Sequence, residues 1–301
     1  MTTALEIDGV TKRFGAHVAV DDFNLSVPQG SIYGFLGPNG AGKTTTIRMV
    51  MSIFMPDSGR LTVLGQDDPS AVKDRLGYLP EEKGLYKKMK ARELVTYFGT
   101  LKGLNQKEAH DKAGALLEKH GLGEWLDKRC EALSKGMGQK VQVLATLIHE
   151  PELVILDEPF SGLDPVNTEK LRDLILEMKA DGKTVIFSTH VMEQAEQLCD
   201  FVVLINKGQK VLDGPLAQVR RSEGRAVQLD YEGDASFLRS HPGVVRVNDA
   251  GQTAEIFLED GSDPQELLKA AMQHVQVRRF DLTEPSLHEI FVRAVGDDVD
   301  A

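Results

Sequence analysis

Apolar residues fall in short, nearly unbroken runs at 32–36, 153–156, 185–187 and 201–205. A run of four to eight apolar residues without polar alternation suits a strand covered on both faces, as in a parallel sheet flanked by helices. Helical spacing takes over between the runs. Ile47, Val50, Met51 and Phe54 form one stripe, which predicts a helix over 44–54. From residue 92 to 150 the pattern is mainly helical. Leu94, Tyr97, Phe98 and Leu101 share a face; Leu116, Leu117 and His120 mark a second helix ending near Gly121; a third runs from about 135 to 149 and stops before Pro151. The expected core is α/β, with an inserted helical subdomain at about 86–150 inside a domain spanning 1–221. Beyond residue 216 the pattern changes. Strands are expected at 226–231, 244–248, 254–258 and 275–282, with helices at 235–240, 264–274 and 286–294. That β-α-β-β-α-β order plus a helix fits a small ferredoxin-like α+β domain over 222–301. Leu287, Ile290, Phe291 and Ala294 at helical spacing predict that the last helix packs an apolar face.

Charge refines this division. The formal net charge is −11, and segment 222–301, with 16 acidic and seven basic residues, carries most of it. An acidic surface repels phosphate backbones, so nucleic acid is not expected as a partner. The two cysteines, Cys130 and Cys199, have no metal or redox spacing. No signal-peptide pattern opens the chain, and no apolar run approaches the ~20 residues of a membrane span. The chain is therefore expected to be made as a soluble protein.

The chemistry concentrates in two places. Gly37-Pro38-Asn39-Gly40-Ala41-Gly42-Lys43-Thr44 satisfies G-x-x-x-x-G-K-[ST], between an expected strand and an expected helix, as the motif requires. Backbone N–H groups of such a turn converge on phosphate oxygens, and the helix N-terminus adds positive potential. Lys43 can reach the β- and γ-phosphates, and the Thr44 hydroxyl can hold Mg²⁺, so ATP and Mg²⁺ are the expected ligands. The second place is Asp157-Glu158, at the end of the run 153–156. Strand ends are where α/β proteins place ligands. Asp157 suits the Mg²⁺ shell, and Glu158 suits orienting or deprotonating an attacking water.

With these elements, residues 1 to about 220 resemble the ABC ATPase family end to end. Leu133-Ser134-Lys135-Gly136-Met137 is similar to its LSGGQ signature, Ser161-Gly162-Leu163-Asp164 to its D-loop, and Ser188-Thr189-His190 to its switch histidine. The resemblance implies a P-loop NTPase core in which Phe14 stacks on adenine and Gly37 to Thr44, with Thr45, hold the phosphates. It implies that Lys43, Glu158 and His190 are catalytic, with His190 holding Glu158 and the water against the γ-phosphate. Ser134 and Gly136 would donate to a γ-phosphate, and Asp164 would couple two subunits. Lys135 and Met137 depart from the signature's Gly and Gln. Glu81, in Gly77-Tyr78-Leu79-Pro80-Glu81, stands where Gln is usual. A carboxylate can ligate Mg²⁺, so Glu81 joins Thr44 and Asp157 as an expected metal ligand. The signature, this loop and the tail segment Glu284-Pro285-Ser286-Leu287-His288-Glu289-Ile290-Phe291 together resemble ATP-binding subunits of type-2 exporters, including those resembling sodium-efflux ATPases. Such subunits work on the cytoplasmic face of the cell membrane with a separate permease. Each ATP lies between two cassettes, a homodimer being expected before a heterodimer. The tail is read equally as packing on its own cassette or as a dimerisation or regulatory module.

Overall fold

Thr3–Phe14 (β1) and His17–Pro28 (β2) pair as a long antiparallel hairpin. Its signal is alternation: Phe23, Leu25 and Val27 are buried, whereas Asn24 and Ser26 face solvent. Ile32–Leu36 (β3) follows, buried throughout, then the helix Lys43–Val50 (α1). Ser58–Val63 (β4) returns antiparallel to β1, completing a three-stranded sheet that the apolar runs do not announce. The computed structural model describes residues 2–81, 84, 86–222, 225–259 and 261–295. Helix α1 stops at Val50 and not at Phe54. Ser52 adopts a φ of 55°, and the amides of Ile53 and Phe54 both turn back to the Arg48 carbonyl.

The apolar runs become neighbours in a second sheet. Leu76–Leu79 (β5) precedes three helices, Ala91–Leu101 (α2), Gln106–Lys119 (α3) and Lys135–Leu147 (α4). After them come Leu153–Leu156 (β6), Pro165–Ala180 (α5), Thr184–Thr189 (β7), Met192–Leu198 (α6), Phe201–Asn206 (β8) and Gln209–Pro215 (β9). The order is β5-β6-β7-β3-β8-β9, with parallel pairing from β5 through β8. Every residue of β3, β6 and β7 is buried, which is why these strands read as unbroken runs. The three inserted helices form where the spacing predicts. The stripe on α2 is only half covered: Leu94 is buried, but Tyr97 and Leu101 are 39% and 62% exposed.

The chain forms two compact units, Met1–Asp213 and Gly214–Ala301, so residue 214 and not 222 opens the second. That unit contains Leu216–Ser222 (α7), Arg225–Glu232 (β10), Val244–Asp249 (β11), Thr253–Leu258 (β12), Pro264–His274 (α8), Gln276–Thr283 (β13) and Leu287–Val295 (α9). Its sheet runs β11-β12-β10-β13, antiparallel throughout. Strand β12 lies between β10 and β11, the split arrangement of a ferredoxin-like fold. Two local expectations change. Segment 235–240 is a 3-10 turn, Ser236–Ser240, started by the Asp234 carboxylate accepting from the Ser236 amide and stopped before Pro242. On α9, Leu287, Ile290 and Phe291 are buried as predicted, but Ala294 is exposed.

Candidate functional site

The loop between β3 and α1 is built on two glycines no other residue could replace. Gly37 has φ 148°, and a side chain there would run into the Ile205 carbonyl; Gly42 has φ 109°, with the Ala19 carbonyl 2.6 Å from where a Cβ would sit. Lys43 follows at the first turn of α1, 5% exposed. Its ammonium donates to the carbonyls of Gly37 at 2.7 Å and Pro38 at 3.1 Å, and lies 3.8 Å from Glu158 Oε1. Burial pushes the Lys43 pKa down, and the neighbouring carboxylates of Glu158, Asp157 and Glu81 oppose that shift.

Above the loop lies a cleft of about 360 Å³. Asn39, Gly40, Ala41, Gly42, Lys43, Thr44 and Thr45 line it, together with Phe14, Glu81 and Glu158. Gly37 and Pro38 sit behind it and take part through their carbonyls. Phe14, 44% exposed, packs edge-to-face with Phe54 at 5.3 Å between ring centres, and the Lys12 ammonium lies 5.7 Å from the Phe14 ring centre. His17 and Ala19 also line the cleft. Neither carries a motif; the hairpin pairing Phe14 with His17 brings them there. Ser134 and Gly136 are not in the lining. Ser134 is exposed and caps α4, accepting from the Met137 amide at 3.3 Å.

The acids follow β6: Glu158 lines the cleft, whereas Asp157 is fully buried and is not in its lining. Leu156 on β6 pairs with Phe187 on β7, so the residues that follow them, Asp157 and Ser188, emerge side by side. The buried Ser188 hydroxyl donates to Asp157 Oδ1 at 2.5 Å and accepts from the Glu158 amide at 2.9 Å. Thr44 Oγ1 donates to the same Asp157 oxygen at 3.3 Å. Asp157 Oδ2 is buried and has no hydrogen-bond partner among the described residues. A hydroxyl beside a carboxylate with an unused buried oxygen matches the hard donors Mg²⁺ takes when phosphates complete its shell. Among the described residues no cluster of three or more His, Cys, Asp or Glu could hold a metal without such help. Glu158 is 6% exposed and adopts a φ of 47°. Its Oε1 lies 3.0 Å from Nδ1 of the half-exposed His190. Sequence reasoning singled out the Ser188-Thr189-His190 segment for its histidine, but not the two contacts of Ser188.

Comparison with known proteins places this geometry. The ABC transporter family model matches residues 20–161, and a model of the C-terminal domain of DrrA1-3-like ATP-binding proteins matches residues 214–295. The uncharacterized ABC transporter ATP-binding protein YhaQ of Bacillus subtilis (strain 168) is 40% identical over 293 residues, 97% of this chain and 98% of that one. The chain belongs to the ABC transporter ATP-binding proteins. The cassette is thus an ATP-hydrolysing enzyme of a family whose domains bind ATP and Mg²⁺. The daunorubicin/doxorubicin resistance ATP-binding protein DrrA of Streptomyces peucetius is 32% identical, covering 99% of this chain and 94% of its own. A solved structure of an ATP-binding subunit of an ABC transporter superposes with a TM-score of 0.66 at 32% identity, over 73% of this chain and 93% of that one. Among the described residues of the cassette and its tail, no helix is long and apolar enough to cross a membrane.

Proposed function

We propose that this chain powers a separate membrane permease of an exporter, hydrolysing ATP as one of two cassettes in a homodimer on the cytoplasmic face of the membrane. The observation that carries the catalytic part is the buried Glu158 carboxylate, which lines the cleft and lies 3.0 Å from His190 Nδ1 and 3.8 Å from the Lys43 ammonium. Phe14 offers its ring to the adenine, and the loop from Gly37 to Thr45 cradles the phosphates. Thr44 and Asp157 would hold Mg²⁺, with Glu81 in the cleft lining as a further ligand; when bound, the ion would neutralise phosphate charge. Glu158 orients and deprotonates the attacking water, while His190 fixes the carboxylate and faces the γ-phosphate. Positioning and charge are the main contributions such a site makes to phosphoryl transfer to water.

We assign Ser134 and Gly136, which stand outside the cleft lining, to the ATP of a second cassette, whereas Asp157 and His190, also outside it, contact the lining residues Thr44 and Glu158. The exporter assignment rests on relatives whose names state resistance or export, DrrA and the Nod factor export ATP-binding protein I of Mesorhizobium japonicum (strain LMG 29417 / CECT 9101 / MAFF 303099). The match of residues 214–295 to a C-terminal domain of DrrA1-3-like proteins supports an accessory module in the tail. The test of the mechanism is Glu158→Gln. Turnover should fall at least a hundredfold while ATP binding persists and a nucleotide-dependent dimer accumulates. Near-normal turnover in that variant would remove Glu158 from the role of base.

A further inference from the structure

Gln139 is a buried polar side chain that the cleft does not use. It lies on α4, one turn beyond the signature residues Ser134 and Gly136, and is 5% exposed. Its amide Nε2 donates to the Pro159 carbonyl at 2.9 Å. Pro159 directly follows Glu158, whose φ of 47° is unusual for a residue with a side chain. Such a conformation persists only where the surroundings enforce it. Three contacts do so here. Ser188 on β7 takes the Glu158 amide, the Ser161 amide closes a turn onto the Glu158 carbonyl at 3.2 Å, and Gln139 holds the next carbonyl. Of these, Gln139 alone belongs to the inserted helices.

A second contact strengthens the tie. Gly136 packs so closely on the Asn167 side chain that a Cβ there would overlap it, and Asn167 is fixed by Asp164, the N-cap of α5. The first turns of α4 are thus fastened at both ends of the segment from Pro159 to Asn167.

We propose that Gln139 is a positioning residue that ties the signature helix to the catalytic glutamate through the Pro159 carbonyl. A displacement of α4 pulls on this carbonyl and re-aims the Glu158 carboxylate, so the base is set only while α4 is correctly seated. The inference rests on the assignment of Glu158 as the base.

The test is Gln139→Met, which keeps length and burial but removes the donor, in steady-state ATPase assays of the full chain. Turnover should fall about tenfold, with KM for ATP and fluorescent-ATP affinity within about twofold of wild type. Gln139→Asn, whose amide is too short to make the contact, should reproduce this loss and serves if the Met variant does not fold. In a Glu158→Gln background, Gln139→Met should cost less than twofold more. Near-normal turnover of Glu158→Gln would overturn the base assignment itself. An inactive Glu158→Gln with wild-type kcat in either folded Gln139 variant would overturn this inference alone. Loss of nucleotide affinity in parallel with kcat in the folded Gln139 variants would make Gln139 a packing residue and also overturn it.

Discussion

Ser188→Ala removes one buried hydroxyl that contacts both acids and tests how they are held. The hydroxyl is fully buried, donates to Asp157 Oδ1 at 2.5 Å and accepts from the Glu158 amide at 2.9 Å. Its loss orphans a buried backbone N–H, at a cost of about 1–3 kcal/mol, and withdraws a donor from a charged carboxylate, worth about 1.5–3 kcal/mol. The two losses share one atom and do not simply add, so about 3 kcal/mol is the working figure. For a unit of this size that lowers the melting temperature by roughly 6–12 °C. Catalysis should suffer separately. The φ of 47° at Glu158 loses its restraint from β7, and kcat should fall about tenfold or more. ATP affinity, assigned to the loop from Gly37 to Thr45, should change less than about threefold. Thermal melts followed by circular dichroism, with ATPase and fluorescent-nucleotide titrations on the same preparation, measure all three. Ser188→Cys, a weak donor and acceptor, should fall between the alanine variant and wild type. A melting temperature within about 2 °C of wild type together with kcat within about twofold would refute the reasoning, because the hydroxyl would then be holding neither acid.

Gly37→Ala places a methyl against the Ile205 carbonyl at a φ of 148°, so it should destabilise the chain by about 1–3 kcal/mol and abolish ATP binding, read by urea unfolding and nucleotide titration. Phe14→Ala should raise KM for ATP about five- to tenfold with little change in kcat, and Phe14→Tyr should restore it; an unchanged KM would deny the ring a part in base binding. In the second unit the Tyr231 hydroxyl donates to Asp249 Oδ1 at 2.7 Å, and burial, followed by that contact, pushes its pKa up to about 12. The folded pKa is raised, so the stabilisation is complete below the ordinary value of 10.0 and is lost as pH rises through about 12. Tyr231→Phe should flatten that alkaline slope in chemical unfolding of the full chain and cost about 1 kcal/mol near neutrality.

Which of these residues a reader of the sequence could find depends on how local their environments are. Strands β3, β6, β7 and β8 were legible because burial on both faces removes polar alternation, and β6 coincides with the run Leu153-Val154-Ile155-Leu156. The hairpin of β1 and β2 was hidden because its alternation is interrupted. Its register shifts between Ile7 and Val10 and again between Val10 and Lys12, and Asp22 adopts a positive φ. The same distinction runs through the site. Lys43, Thr44, Asp157 and Glu158 occur in short strings whose chemistry can be read in place. Ser188 meets the acids through the pairing of β6 with β7, and Gln139 reaches from α4 to the Pro159 carbonyl. A polar residue inside an apolar strand or near a helix start has no one-dimensional pattern that distinguishes a support from a solvated group. What distinguishes it is burial combined with a partner distant in sequence, and both arise only from packing. The side chains that could be read from the motifs are therefore those proposed to act on the nucleotide. Those that hold them in a usable conformation needed the fold.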